Sequence, residues 1–381
     1  MIIKNGNIHD AVHEEVYVAD IALRDGKIAA IGKDIAPLAG EEILDAAGKE
    51  VYPGFVDAHS HLGLHGFGLG KDPTDVNERG DRVGAHMRAI DAFDPHDEYL
   101  RRALRGGVTT ICTGPGSANF FGGTFMVVKT AEDSLKNMVV REGVAMKCAF
   151  GENPKKSEKK YMTSRMGVAA VIRQTLYDAT DYMLRKEDAE KDPSKRMKTD
   201  LRMEALIPVL KREIPIKAHV HRADDIWTAI RIAKEFNLKM TLEHVTDGRN
   251  AVEEMVEAGF PVAAGPVLFR TPKLECVNRS FATAAVLSKA GLKVSLITDA
   301  PVMDPELLPL CAGFAIKEGM DPHKALQAIT ITAAEHIGAE DRVGSLEVGK
   351  DADVVIADGN LLTSVVAKVE AVFVSGKKVV G

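Results

Sequence analysis

Short apolar runs that alternate with helix-forming stretches occupy most of the chain, and they restrict it to a parallel α/β architecture. The runs are 54–56, 108–112, 144–150, 216–220, 240–245, 262–268 and 294–297. Segments between them, such as 224–236 and 249–258, carry helical spacing, with Asp224 placed to cap one helix and Asn237 to stop it. Strands that alternate with helices build βαβ units and a parallel sheet. The stretch 124–128 is a candidate eighth strand, or else a hairpin beside the others. The expected fold is α/β, a (β/α)₈ TIM-like barrel over residues 54–344. Such a barrel absorbs roughly 200–400 residues as one domain.

The two ends of the chain read differently. Residues 1–53 form short runs separated by the turn signals Asn5-Gly6 and Asp25-Gly26. The C-terminal segment repeats the pattern, with runs at 353–356, 369–374 and 377–380 and the turn Ser375-Gly376. Chain termini often lie close together. Residues 1–53 and 345–381 are therefore expected to pair into a small β-sandwich domain. Residues 154–213 break the barrel rhythm with charge-rich helices and no clear strand. They read as a helical excursion, placed to act as a lid over the barrel mouth.

The chemistry gathers at strand ends. Pro53-Gly54-Phe55-Val56-Asp57-Ala58-His59-Ser60-His61 is an apolar strand that ends in His-x-His. Side chains two apart on a strand point the same way, so both imidazoles can reach one point. Later runs end in Lys217-Ala218-His219-Val220-His221, in Thr241-Leu242-Glu243-His244 and in Ser295-Leu296-Ile297-Thr298-Asp299. A single histidine on an apolar strand is more often a satisfied core residue. Several at equivalent strand ends, where barrel active sites collect, point to a divalent metal. Imidazole and carboxylate donors suit zinc, and iron, manganese and cobalt fit the same set. A bound ion makes water acidic enough to ionise near neutral pH, and a carboxylate such as Asp299 beside it can take the proton.

These residues also carry a resemblance. PGFVDAHSH, followed by His219, His244 and Asp299 and by the stretch from Ala328 to Val355, resembles the amidohydrolase superfamily over nearly the whole chain. Within it, the chain looks most like imidazolonepropionase-like and related cyclic-amide or peptide-like hydrolases. The resemblance implies cleavage of an amide or other C–N bond, in a cyclic amide, an N-acyl compound or a dipeptide-like substrate. It implies that His59, His61 and Asp299 bind the more buried ion, and that Asp299 also accepts the proton of the attacking water. His219 matches the ligand of the fifth strand. His244 matches the sixth-strand histidine, which holds a second ion or contacts substrate. His221 shares a face with His219 and would face substrate, with His65 lining the mouth.

Two-metal members need a bridging group from the third or fourth strand. Glu152, at the end of its run, competes here with Lys147, which lies mid-strand, and Glu152 is the preferred bridge. Asp57 would support a ligand imidazole or make a strand-end hydrogen bond. Arg165, Arg222 and Arg270 are candidates for a substrate carboxylate. One or two ions fit this reading. The alternatives are a deaminase on the same scaffold and a metal-binding scaffold without catalysis.

Charge and composition exclude other classes. The net charge is −6 and the aromatic fraction 5%, so neither a basic field nor a stacking platform for nucleic acid is present. No signal peptide is evident at the N-terminus. No apolar run approaches the ~18–20 residues that cross a bilayer. The expectation is a cytoplasmic protein with a small-molecule substrate, free to form a homo-oligomer. Cys112, Cys148, Cys276 and Cys311 form no C-x-x-C pair and read as reduced, buried thiols.

Overall fold

Strand pairing divides the chain into two sheets. The N-terminal strands are β1 (Ile2–Ile8), β2 (Tyr17–Arg24), β3 (Lys27–Gly32), β4 (Ile43–Asp45) and β5 (Glu50–Pro53). Eight strands follow: β6 (Phe55–Ser60), β7 (Val108–Thr113), β8 (Phe121–Lys129), β9 (Val139–Ala149), β10 (Ile216–Val220), β11 (Met240–His244), β12 (Val262–Ala264) and β13 (Val294–Leu296). The chain ends in β14 (Val354–Ala357), β15 (Val369–Val374) and β16 (Lys377–Val380). The computed structural model describes residues 1–66, 74–78, 80–155, 163–269 and 273–381. Arg270 lies outside them.

Both chain ends join one sheet, in the order β16-β15-β14-β5-β1-β2-β3, with β4 paired to β1. Alternate apolar residues form one cluster, in which Ile3, Ile21 and Val51 meet Val354, Ile356 and Phe373, while Tyr52, Val355, Val372 and Val374 pack into the barrel's own core. Asp25 and Gly26 have φ of +50° and +74°, and Ser375 and Gly376 +47° and +76°. Two consecutive left-handed residues make the tight hairpin turns that join β2 to β3 and β15 to β16. Asn5-Gly6 behaves otherwise. Asn5 is left-handed, but the register against β2 merely slips between Ile3 and Gly6. The expected turn is thus a bulge inside a continuing strand.

The second sheet runs β13-β12-β11-β10-β9-β8-β7-β6. Asp299, just past β13, donates its amide to the His59 carbonyl at 3.1 Å, and His61 donates to Ala300 at 2.7 Å, which brings the two edges together. The result is a nearly closed, TIM-like barrel sheet. Strands β6, β7, β10 and β11 are buried throughout, as strands covered on both faces must be. One strand departs from the expected parallel pattern: β8 is antiparallel to β7 and to β9. Only residues 114–120 separate β7 from β8. A parallel crossover needs a dozen or more residues, so this connection can only turn the chain back.

Helices complete the units: α1 (Glu98–Arg105), α2 (Leu135–Met138), α3 (Arg165–Lys191), α4 (Leu201–Leu210), α5 (Ala223–Glu235), α6 (Val252–Ala258), α7 (Ala282–Lys289), α8 (Leu308–Lys317), α9 (Pro322–Gln327) and α10 (Ile331–His336). Among the described residues the excursion carries α3 and α4, whose contact includes a hydrogen bond from the Tyr182 hydroxyl to Glu204 at 2.7 Å. Asp224 does not cap α5. It sits in the first turn, where its charge favours the helix N-terminus, and Arg222 occupies the cap position. Asn237, with φ of +52°, follows the end of that helix. All four cysteines are free and buried. Among the described residues no helix is both long and apolar enough to cross a membrane.

A buried ion pair fastens barrel to terminal sheet. Lys129, at the end of β8, reaches Asp353 and lies 3.0 Å from Asp351. Burial pushes the Asp351 carboxyl up, but Lys129, Lys27 and Arg342 overcome this and hold it near 2. Lys129→Met leaves the buried Asp353 carboxylate without its cation, whereas Asp351 keeps Lys27 and Arg342. It should cost ~3–5 kcal/mol, the usual penalty for half of a buried pair. Denaturant unfolding measures this, and a loss below ~1 kcal/mol would show that the pair is screened.

Candidate metal centre

Two groups of donor side chains face each other at one rim of the barrel. The first contains His59, His61 and Asp299. His59 and His61 share a face of β6, and their rings lie 5.4 Å apart. Asp299 follows β13 in a left-handed conformation, φ +51°. That bend brings its Oδ1 to 3.2 Å from His61 Nε2 and 3.8 Å from His59 Nε2. His61 Nδ1 is held by the Gly114 carbonyl at 2.7 Å. Asp57, on the same strand, accepts from the His59 amide and from Thr298, and so ties β6 to the segment bearing Asp299. Burial pushes the Asp57 carboxyl up to about 7.

The second group contains His219, His221 and His244. His219 and His221 sit two apart at the end of β10. Ring centroids are 4.5 Å apart for His219 and His244, 4.9 Å for His221 and His244, and 5.0 Å for His59 and His244. The two groups therefore adjoin. Consecutive residues on a strand point to opposite faces. Glu243 and His244 nevertheless reach the same interior, because His244 and Val245 are left-handed, with φ of +72° and +39°. His244 Nδ1 lies 3.0 Å from the Gly265 carbonyl, and His221 Nδ1 lies 2.7 Å from the Thr246 hydroxyl.

Lys147 is where the structure departs most from the sequence expectation. It lies opposite Lys217 in the β9–β10 register, two residues below the Ala149–His219 pair. That is ~6.6 Å of strand. An extended lysine spans it, and Nζ stands 3.1 Å from His59 Nε2. Depth on the strand did not exclude Lys147, because its side chain rises along the barrel interior. Burial pushes its ammonium down to about 8. Glu152, the preferred bridge, occupies the turn after β9, with its backbone amide donating to Glu275 Oε2 at 2.7 Å. It belongs to neither donor group. His65 is half-buried beyond β6 and is also outside both groups.

Sequence reasoning passed over Glu243 and Lys217, although charged residues inside apolar runs were the available signal, and it reads His336 as a structural or surface residue. Glu243 is fully buried, accepts from the side chains of His59, Thr241 and His336, and forms an ion pair with Lys217 at 2.9 Å. Burial opposes its ionisation, yet Lys217, His336 and His59 hold its carboxyl well below the usual range. Glu275, also buried, stands 4.0 Å from His219 Nε2 and 3.9 Å from His221 Nε2. Arg165 pairs with Asp225 at 3.0 Å, and Arg222 with Asp224 at 2.9 Å.

The donor set fits a divalent ion. Burial pushes the imidazoles of His59 and His221 down to about 3 and 4, and those of His219 and His244 well below their ordinary value. All four are thus neutral, the form that binds metals. His219 Nδ1 and His244 Nε2 are buried without a hydrogen-bond partner, and Asp299 Oδ1 has none in hydrogen-bond geometry. Buried polar atoms are nearly always paired. Unpaired lone pairs at one rim are what a cation would satisfy.

Comparison with known proteins agrees with this geometry. The model of the Amidohydrolase family matches residues 51–379. An imidazolonepropionase from Caldanaerobacter subterraneus subsp. tengcongensis is 28% identical over 91% of this chain and 85% of its own length. Amidohydrolase tasK of Hapsidospora irregularis is 28% identical over 84% of this chain, which spans only 35% of that protein. The crystal structure of an amidohydrolase from Thermotoga maritima MSB8 superposes with a TM-score of 0.95 at 38% identity, covering 99% of both chains. The chain is therefore a member of the amidohydrolase family.

Proposed function

We propose that this protein hydrolyses an amide or other C–N bond of a small molecule, in a cyclic amide, an N-acyl compound or a dipeptide-like substrate. The observation that carries the reading is the pair of adjoining donor groups with Lys147 beside His59. His59, His61 and Asp299 would hold one divalent ion, with zinc the expected metal. His219 and His244 would hold a second. Lys147, rather than Glu152, would bridge them as a carbamate: its neutral amine adds to carbon dioxide, an N–C bond forms and one proton leaves. Such ions lower the pKa of bound water from roughly 15.7 toward about 7 and polarise the substrate carbonyl.

The chain's own groups do the rest. Asp299 takes the proton of the attacking water on its carboxylate and returns it to the leaving nitrogen. His221 and His65 stand on the substrate side. The terminal sheet, with an apolar cluster of its own on part of its surface, is read as the small β-sandwich domain of residues 1–53 and 345–381. Helices α3 and α4 are read as a lid.

Chelation tests the reading. Dialysis against a strong chelator should abolish turnover of N-acyl amino acids, dipeptides and lactams, and zinc should restore it. Metal analysis should find two ions per chain. Full turnover by metal-free protein would sink the proposal. Turnover confined to a purine added to that panel would instead make the protein a deaminase.

A further inference from the structure

We propose that Glu243 is a positioning residue for His59, and that Lys217 and His336 hold it in that role. The geometry is specific. Glu243 Oε2 stands 2.7 Å from His59 Nδ1 and 2.9 Å from Lys217 Nζ. Its Oε1 accepts from the Thr241 hydroxyl at 2.6 Å and stands 2.9 Å from His336 Nε2. A carboxylate offers about four acceptor sites, so this one is saturated. The partners come from β6, β10, β11 and α10, which leaves the carboxylate no freedom to turn away.

The consequence falls on His59. A carboxylate at Nδ1 keeps the proton on that nitrogen and leaves Nε2 with its lone pair. That lone pair faces Lys147 Nζ at 3.1 Å and Asp299 Oδ1 at 3.8 Å. Carboxylates that hold a ligand imidazole in this way set both its tautomer and its orientation. A purely structural pairing of Lys217 with Glu243 would not need the imidazole. His336 extends the same network to α10, so a helix outside the barrel wall contributes to the orientation of a ligand within it.

The inference rests on the proposed function in one respect: it takes His59 to bind an ion. The test is zinc binding to the metal-free full-length protein, in competition with a chromophoric chelator. Glu243→Gln should weaken one of the two binding steps by about 10–100-fold and leave the other unchanged. Glu243→Asp should recover part of the loss. If Glu243→Gln does not fold, His336→Leu and His336→Gln decide: leucine should weaken the same step several-fold, and glutamine, which still donates, should restore it. Wild-type affinities in folded Glu243→Gln, or equal affinities in the two His336 variants, would overturn the inference alone. Absence of zinc binding in the wild-type protein would overturn the proposed function instead.

Discussion

Asp299→Asn should lower turnover at least ~10³-fold with little change in stability, because general acid–base groups contribute about 10²–10⁴. The amide matches the carboxylate in shape, so the left-handed segment after β13 and its backbone bonds to β6 survive. Two things are lost. The negative charge beside His59, His61 and His244 disappears, and with it the acceptor for the proton of water. Burial would push the Asp299 carboxyl up, but His244, His61 and His59 hold it well below the ordinary carboxylate range. The group is therefore ionised throughout the neutral range, as a proton acceptor must be. Steady-state kinetics together with thermal unfolding make the check. Near-normal turnover in a folded variant would remove Asp299 from the mechanism.

Lys147→Met should reduce turnover by at least ~10²-fold and lower the metal content toward one ion per chain. Methionine fills most of the lysine volume and needs no partner, so the barrel interior stays packed. Lys147 is nearly fully buried beside the Phe125 ring, at 5.4 Å. Its neighbour in register, Lys217, has Glu243 at 2.9 Å, whereas the hydrogen bond that Lys147 makes is to His59. That contrast is why the proposed carbamate is assigned to Lys147 and not to Lys217. Intact mass measured under gentle conditions should show one carbon dioxide per wild-type chain and none in the variant. Glu152→Gln should leave the metal content unchanged. A fall of stoichiometry in that variant alone would return the bridge to Glu152.

The barrel and much of its site were legible in the order of residues because the signals are local. An apolar run ending in His-x-His announces a buried strand with two donors on one face. Repetition of that pattern at His219 and His221, with His244 and Asp299 ending later runs, fixes a common rim. Paired turn residues at Asp25-Gly26 and Ser375-Gly376 mark hairpins, since few residues tolerate successive positive φ values.

Other features depend on what packs against what. Asn5-Gly6 has the same local signal as a hairpin turn, yet β5 and β2 on either side of β1 keep that strand running and turn the signal into a bulge. Strand β8 enters the barrel antiparallel because its connection is too short to cross over, a matter of loop length against sheet geometry. The reach of Lys147 could not be judged from its place in a run, because reach depends on side-chain length and on the register of the neighbouring strand. Glu243 and Lys217 were passed over for a related reason: burial of a charge shows only when its partners arrive from distant strands. The amino-acid sequence alone determined the kinds of donor and the strand ends that carry them, since both follow from periodicity and residue chemistry. Tertiary structure alone decided which donors meet and which buried charges hold them, since those distances arise only when the sheet curls back and brings β6 against β13.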